Sequence, residues 1–379
     1  MGREVEVAAY YFPNYHVDAR NVKWHGPGWT EWDLVKRAEP RFAGHAQPRV
    51  PLWGYEDESD PAAMGRKIDA AADHGLDAFI FDWYWYEDGP YLQRGLENGF
   101  LRASNGARLK FALMWANHDW VDIHPATRSR PFKQLLPGRI SLKGFEAATE
   151  HVIRSYFSCE NYWRIGGRPY FSIYELMTLM DGLGGLDETR RALDGFRERT
   201  TKAGLGELHL NAVVWGVKIL PNERSIQNPV ELLGRLGIDS VTSYVWIHHQ
   251  PLKQFPQTPY AEIAAASAQD WTRFREQYPL PYYPNVTMGW DASPRTVQSD
   301  AFENLGYPWM AMLKGNTPAA FGEACRAARA FVMNGPAERR IVTINAWNEW
   351  TEGSYLEPDT EYGFGYLEAL REAFGVKGA

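Results

Sequence analysis

Residues 340–359 read RIVTINAWNEWTEGSYLEPD. Over Ile341–Trp347 the apolar set Val342, Ile344 and Ala346 alternates with Thr343, Asn345 and Trp347, the period of a strand with two different faces. Past Trp347 the alternation gives way to a turn carrying Trp350, Glu349 and Glu352. One such unit decides nothing. The fold follows because the unit recurs: Val5–Phe12, Asp77–Trp83, Leu109–Trp115, Pro169–Glu175, Leu208–Trp215, Asp239–Trp246, Tyr283–Met288 and Arg340–Trp347 all read as short strands.

Helical patterns separate these runs. The clearest starts at Asp60–Pro61, an N-cap and N1 pair, and ends at Gly75 as the C′ residue. Others span Phe145–Tyr162, Asp187–Lys202, Tyr260–Gln277 and Thr317–Met333. Strand alternating with helix predicts a parallel sheet with crossover helices, and eight units favour a closed (β/α)₈ barrel. An open doubly wound sheet needs a Gly-rich turn after an early strand, and here the first strand ends in YYFPNYH. No repeat, low-complexity tract or Pro/Ser-rich linker divides residues 1–379, so a single (β/α)₈ TIM barrel domain is expected. The more polar set of each strand, such as His209, Asn211, Val213 and Trp215, is expected to face the barrel interior.

The net charge of −7 gives no footprint for nucleic acid or an anionic membrane surface. No apolar run is long enough to span a membrane. The N-terminus carries no signal-peptide pattern, and two distant cysteines, Cys159 and Cys325, read as free thiols; a cytoplasmic location is expected. No metal or other cofactor is expected: His248–His249 lacks a third ligand at a recognisable spacing. Asn285–Val286–Thr287 matches a glycosylation acceptor but falls inside a strand.

The aromatic content is high, with 16 Trp and 20 Tyr. Trp83, Trp85, Trp115, Trp120, Trp215, Trp246, Trp290, Trp347 and Trp350 fall at or beyond the C-terminal ends of the proposed strands, where barrel active sites lie. Trp24, Trp29, Trp32 and Trp53 fall in the segment 13–60, too long for a plain connection and read as an ordered part of a substrate cleft. Aromatic faces at a barrel mouth suit the C–H faces of sugar rings, so an oligo- or polysaccharide substrate is expected.

Glu349 and Glu352 stand three apart just past a strand end, on one face if the chain turns helically. Glycoside cleavage needs one carboxyl kept protonated and another ionised. Two acids in a poorly solvated mouth have their pKa values pushed apart. A pair of Glu at this spacing is often only a solvated helix face. Here no Lys or Arg occurs between Arg340 and Arg371, and Trp347, Asn348 and Trp350 wall the pair. Further sugar contacts are expected from Tyr11, Asp82, Trp83, Tyr84, Trp115, Asn117, His118, Glu175, Trp215, Tyr244 and Trp246, all at strand ends. Asp82 shares the parity of Ala78 and Ile80.

The motif NEWTEG resembles the E-W-x-E-G signature of glycoside hydrolase family 99. With YYFPNYH, WTEWD, FDWYWY, MWANHDW, IGGRPYFSIY and NAWNEWTEGSYLEPD, the chain resembles the family 99-like bacterial proteins often labelled WbsX-type glycosyltransferases. The resemblance implies metal-independent, retaining hydrolysis of α-linked, manno-configured sugars. It implies that Glu349 is the base acting on the sugar 2-hydroxyl, through a 1,2-anhydro intermediate, and that Glu352 is the general acid/base. Thr351 replaces the His of mannan-acting members, a difference bearing on substrate more than on reaction type. Two other readings are a glycosyltransferase of surface-polysaccharide synthesis and a glycan-binding barrel without catalysis. Against the first, no Gly-rich phosphate turn or D-x-D triplet occurs. Oligomeric state is not legible.

Overall fold

A computed structural model describes residues 4–130, 132–216, 228–336 and 340–376. Its strands form one barrel: β1 (Glu6–Tyr11), β2 (Ala78–Tyr86), β3 (Lys110–Trp115), β4 (Arg168–Ile173), β5 (His209–Val213), β6 (Ser240–Thr242), β7 (Tyr282–Tyr283 with Asn285–Thr287) and β8 (Ile341–Asn345). Neighbours pair in parallel, and β8 returns to β1 through Glu6↔Ile341 to Ala9↔Ile344. The two segments of β7 flank Pro284, which has no N–H to donate. The first pairs with β6 and the second with β8, so the ring of nine parallel segments closes through the proline. Among the described residues the chain forms a single (β/α) barrel domain, as the alternation predicts.

The helical expectations fall close to the observed elements. Pro61–Asp73 is capped by Asp60, whose side chain accepts from the Ala62 N–H. Tyr260–Gln277 has the expected bounds, and Leu186–Lys202 and Pro318–Met333 begin within a residue of theirs. The expected Phe145–Tyr162 helix runs instead over Leu142–Val152 and one wider turn, Ile153–Phe157. Between β2 and β3 the helical segments are three short turns, Gly95–Gly99, Phe100–Arg102 and Gly106–Arg108. The first packs so closely on the segment 13–60 that a Cβ on Gly99 would lie 2.1 Å from the Glu58 carbonyl oxygen.

Period two sorts the strand residues cleanly. Inward-facing polar groups bond between strands in one layer: Ser172 Oγ donates to Asn211 Oδ1, and Asn211 Nδ2 donates to Ser240 Oγ, each at 2.8 Å. Asn285 Nδ2 donates to Thr343 Oγ1 at 3.2 Å. The more polar set therefore points inward in β5 and in β8 as far as Asn345. The outward set, with Phe79, Phe81, Leu113 and Phe171, is buried against the helices. Each such side chain contributes about 1.5–3 kcal/mol by leaving water. Asn285, Val286 and Thr287 are buried in β7, so the acceptor pattern there is a strand interior. Among the described residues no helix is long and apolar enough to cross a membrane.

Candidate active site

At the C-terminal end of the strands lies a cavity that, with the solvent at its open mouth, spans about 660 Å³ and is lined among others by Phe12, Asp82, Tyr84, Trp120, Arg295, Glu349 and Glu352. The turn that carries the two glutamates is built so that its other side chains are anchored. Asn348 clamps Phe12, accepting from its N–H and donating to its C=O, each at 2.8 Å. The Trp350 indole N–H donates to Glu357 at 2.8 Å, and its ring stacks on Tyr355 with centroids 3.8 Å apart. Thr351 Oγ1 donates to Glu31 Oε1 at 2.5 Å. Trp350–Glu352 forms a single 3₁₀ turn, in which residues three apart eclipse. With their neighbours held in the fold, Glu349 and Glu352 both reach the cavity.

Gly353 ends the turn at φ 64, and a Cβ there would lie 2.9 Å from the Asp291 backbone nitrogen. That N–H donates to the Glu352 carbonyl at 2.5 Å, which ties the turn to the loop after β7.

That loop brings Arg295, which the sequence reading missed. Its Nη1 donates to Glu352 Oε1 and to Tyr307, each at 2.5 Å. Its Nη2 lies 3.3 Å from Glu349 Oε2 and 2.9 Å from Glu31 Oε1. Tyr307 itself donates to Glu352 Oε1 at 2.9 Å. Glu31, in the quoted WTEWD but not singled out, is fully buried and also accepts from Asn14 at 2.6 Å. No local pattern could have found these partners: Glu31 and Arg295 stand 264 positions apart.

Asp82 and Tyr244 complete the floor. Tyr244 Oη lies 2.9 Å from Asp82 Oδ2 and 3.1 Å from Glu349 Oε1.

One guanidinium therefore serves three buried carboxyl groups, those of Glu31, Glu349 and Glu352, while Asp82 meets only the Tyr244 hydroxyl. Burial is the main force raising Glu349 well above the ordinary range, with Glu352, Asp82 and Glu31 adding repulsion against Arg295. Burial also raises Glu352, but less far, because Arg295 and Tyr307 offset it. Asp82 rises well above its usual value through burial, opposed by the Tyr244 hydroxyl. Glu31 goes the other way: burial would raise it, but Arg295, His124, Thr351 and Asn14 together hold it low. His124 and His248 are pushed down to about 3, mainly by burial, and His118 is lowered for the same reason, so none supplies a cation. Among the described residues no group of three or more His, Cys, Asp or Glu is placed to hold a metal.

The expected contacts divide by strand parity. Asp82, Tyr84, His118 and Tyr244 line the cavity with the two glutamates. Tyr11 does not: it faces outward against Phe79 and Phe81, at 5.2 and 4.6 Å between ring centroids. Trp83 packs on Trp85, Trp115 and Phe171, and Trp115 on Phe145, in the strand–helix layer. Trp246 donates to the Asn285 carbonyl and packs on Tyr260. Trp347 packs on Phe79, because the strand ends at Asn345 and its alternation does not continue. Asn348 and Trp350 anchor the turn as described. Asn117 exchanges two 2.8 Å bonds with the Glu175 backbone, which joins the ends of β3 and β4, and Thr178 donates to the Glu175 carboxylate. Trp215 stands one layer back, against Tyr174 and His248. Of the tryptophans expected at the mouth, Trp120 and Trp290 line the cavity. His249 bonds Ser243 at 2.8 Å within the fold, whereas His248 reaches the cavity wall. Cys159 and Cys325 are free thiols.

The chain is similar to known proteins at three levels. The sequence profile of the family described as "Glycosyltransferase WbsX" matches residues 7–370. A relative from Xanthomonas campestris pv. campestris, "Uncharacterized protein WxcX", is 30% identical over 385 residues, covering 97% of this chain and 49% of the relative. The chain thus spans about half the length of the curated relatives it matches. Among solved structures, the GH99 endo-alpha-mannosidase from Bacteroides thetaiotaomicron superposes with a TM-score of 0.59 at 13% identity, covering 98% of this chain and 96% of that one. A "Glycoside hydrolase-like protein" superposes with a TM-score of 0.64 at 18% identity, covering 99% and 95%. At these identities the likeness to solved structures is one of fold.

Proposed function

The chain belongs to the family described as Glycosyltransferase WbsX, and from that premise we propose that it is a retaining glycoside hydrolase cleaving an α-linked, manno-configured glycan. The observation that carries this reading is the buried pair Glu349 and Glu352, bridged by Arg295 in a cavity walled by Trp120, Trp290, Tyr84 and Phe12.

Glu349 takes the proton of the sugar 2-hydroxyl as O2 attacks C1. The glycosidic bond breaks, and its oxygen leaves with the proton of Glu352. Glu352 then removes a proton from water, which opens the 1,2-anhydro ring at C1, and O2 recovers a proton from Glu349. The first attack requires O2 anti to the leaving oxygen, a relation that α-manno sugars have and α-gluco sugars lack. The segment 13–60, through Asn14 and Glu31, supplies the site's second layer and forms one side of the substrate cleft.

One observation favours the interchanged roles. Arg295 and Tyr307 both donate to Glu352, which makes it the more readily ionised of the pair. In the first assignment the leaving oxygen must displace these contacts before Glu352 can hold its proton.

The test is product release from a panel of α-linked manno-, rhamno-, gluco- and galacto-configured glycans without nucleotide sugar. Wild type, Glu349→Gln and Glu352→Gln are compared on plain glycans and on aryl glycosides with an acidic leaving group. Such aryl substrates need no general acid, so their selective survival in one variant names the acid. Activity on plain glycans in both variants sinks the assignment. Turnover only with a nucleotide sugar supports transfer, as the family description reads, and saturable binding without product supports a glycan-binding barrel.

A further inference from the structure

We propose that Asp82 is a positioning residue that holds a proton at neutral pH and, through the Tyr244 hydroxyl, keeps Glu349 ionised. The relation starts from a count of hydrogens. Tyr244 has one hydroxyl proton, yet its oxygen lies 2.9 Å from Asp82 Oδ2 and 3.1 Å from Glu349 Oε1. If both acids were ionised, the proton could reach only one, and the other oxygen would face a phenol lone pair at hydrogen-bond distance. A second proton resolves this: one carboxyl donates to Tyr244 Oη, and Tyr244 donates to the other.

Which carboxyl keeps the proton follows from what else each one meets. Burial and the neighbouring Glu352 raise Glu349 as well, but its Oε2 lies 3.3 Å from the guanidinium of Arg295, a cation that Asp82 lacks. Asp82 is 2% exposed, and among the described residues its Oδ1 has no hydrogen-bond partner at all. A buried carboxylate without a cation or a second donor is the costlier anion. The groups around Asp82 offer no other relief. They are Tyr10 from β1, Tyr84 from β2, Tyr244 beyond β6, and Glu349 and Glu352 beyond β8. His118 and His248 on the cavity wall are neutral, and Arg295 donates instead to Glu31, Glu352 and Tyr307 alongside Glu349. The order is therefore Asp82 Oδ2–H to Tyr244 Oη, and Tyr244 Oη–H to Glu349 Oε1. No bond is broken and no proton crosses to substrate by this route. Its consequence for turnover rests on the proposed role of Glu349 as the base.

The arrangement can be read without any substrate, so its failure is separate from that of the glycosidase reading. Full-length protein carrying ¹³C at the Asp and Glu side-chain carboxyls is titrated by NMR, and the two signals are assigned by their loss in Asp82→Asn and Glu349→Gln. In wild type the Asp82 signal is expected at its protonated position at pH 7, and that of Glu349 at its ionised position. Asp82→Asn places an amide N–H where the acid proton was, so Glu349 keeps its midpoint. Tyr244→Phe removes the hydroxyl that donates to Glu349 and moves the Glu349 midpoint up by about one unit or more, a tenfold change in acid dissociation. Asp82→Leu leaves that donor to Glu349 in place and shifts the midpoint less. An Asp82 titrating in the ordinary carboxylate range overturns the proposal. So does a Glu349 that stays protonated at pH 7 in wild type, or a midpoint unmoved in Tyr244→Phe.

Discussion

The hydroxyl of Thr351 donates to Glu31 Oε1 at 2.5 Å, joining the carboxyl-bearing turn to a buried acid 320 positions earlier. Glu31 Oε1 accepts from Arg295 as well, so one oxygen holds both the turn and the cation that bridges Glu349 and Glu352.

Thr351→Val keeps the volume and removes the donor. It is expected to destabilise the fold by about 1–3 kcal/mol, because Glu31 stays buried with one partner fewer. A lowered midpoint in urea unfolding with an unchanged slope checks this, and an unchanged midpoint counts against it.

Arg295→Met takes away the cation that pairs with Glu31, Glu349 and Glu352. A loss of about 3–5 kcal/mol is expected near neutrality, since Glu31 is left as an unpaired buried charge. In wild type Glu31 is held low, so its contribution is present above the ordinary Glu value of 4.5 and lost as pH falls toward its lower folded value. In the variant only His124, Thr351 and Asn14 oppose burial at Glu31, so this contribution shrinks. The gap between the two proteins should therefore be widest near pH 7 and narrow below about 4.5. Unfolding curves at a series of pH values test it, and a constant gap contradicts it.

Asp82→Asn tests the sign of the opposite case. Asp82 is raised in the fold, so its stabilising contribution is complete below the ordinary Asp value of 3.8 and is lost as pH rises toward its folded value. The variant should gain on wild type as pH rises above the ordinary Asp value of 3.8, by up to about 1.4 kcal/mol per unit until the folded value is passed. The buried histidines act equally in both proteins and cancel in the comparison. A difference that does not change with pH, or that shrinks, is incompatible with a raised Asp82.

Gly353→Ala should act on chemistry more than on the rest of the fold. The residue sits at φ 64, and the new Cβ would meet the Asp291 backbone, which cannot move like a side-chain tip. A strained left-handed residue costs about 1–3 kcal/mol, and a shift of Glu352 by about 1 Å can cost about a hundredfold in rate. Glycan turnover compared with the melting temperature separates the two effects.

Trp83→Ala empties the layer between strands and helices. An expected loss of about 3–5 kcal/mol in unfolding free energy follows from the cavity left behind. Glycan affinity of the folded protein should not change, because Trp83 contacts Trp85, Trp115 and Phe171 rather than the cavity. A raised Kd at unchanged stability would return Trp83 to the site.

Part of what the structure corrected was already legible in the strand pattern. The parity that turns Asp82 inward with Ala78 and Ile80 also turns Trp83 outward with Phe79 and Phe81. Tyr11 likewise alternates with Tyr10, whose ring meets that of Tyr244 at 4.7 Å in the barrel interior. Trp347 was not legible in this way, because parity holds only while the strand lasts, and β8 ends at Asn345.

By itself the sequence determined the barrel, the mouth and the two glutamates that stand at it. These depend on period-two and helical patterns and on strand ends, all of which act over a few neighbouring residues. Only the tertiary structure decided that Arg295 bridges Glu349 and Glu352, that Glu31 and Tyr307 hold that bridge, and that one hydroxyl of Tyr244 lies between Asp82 and Glu349. Closing a ring of strands brings together loop residues 45 to 320 positions apart, and the charge balance that sets each proton exists only where they meet.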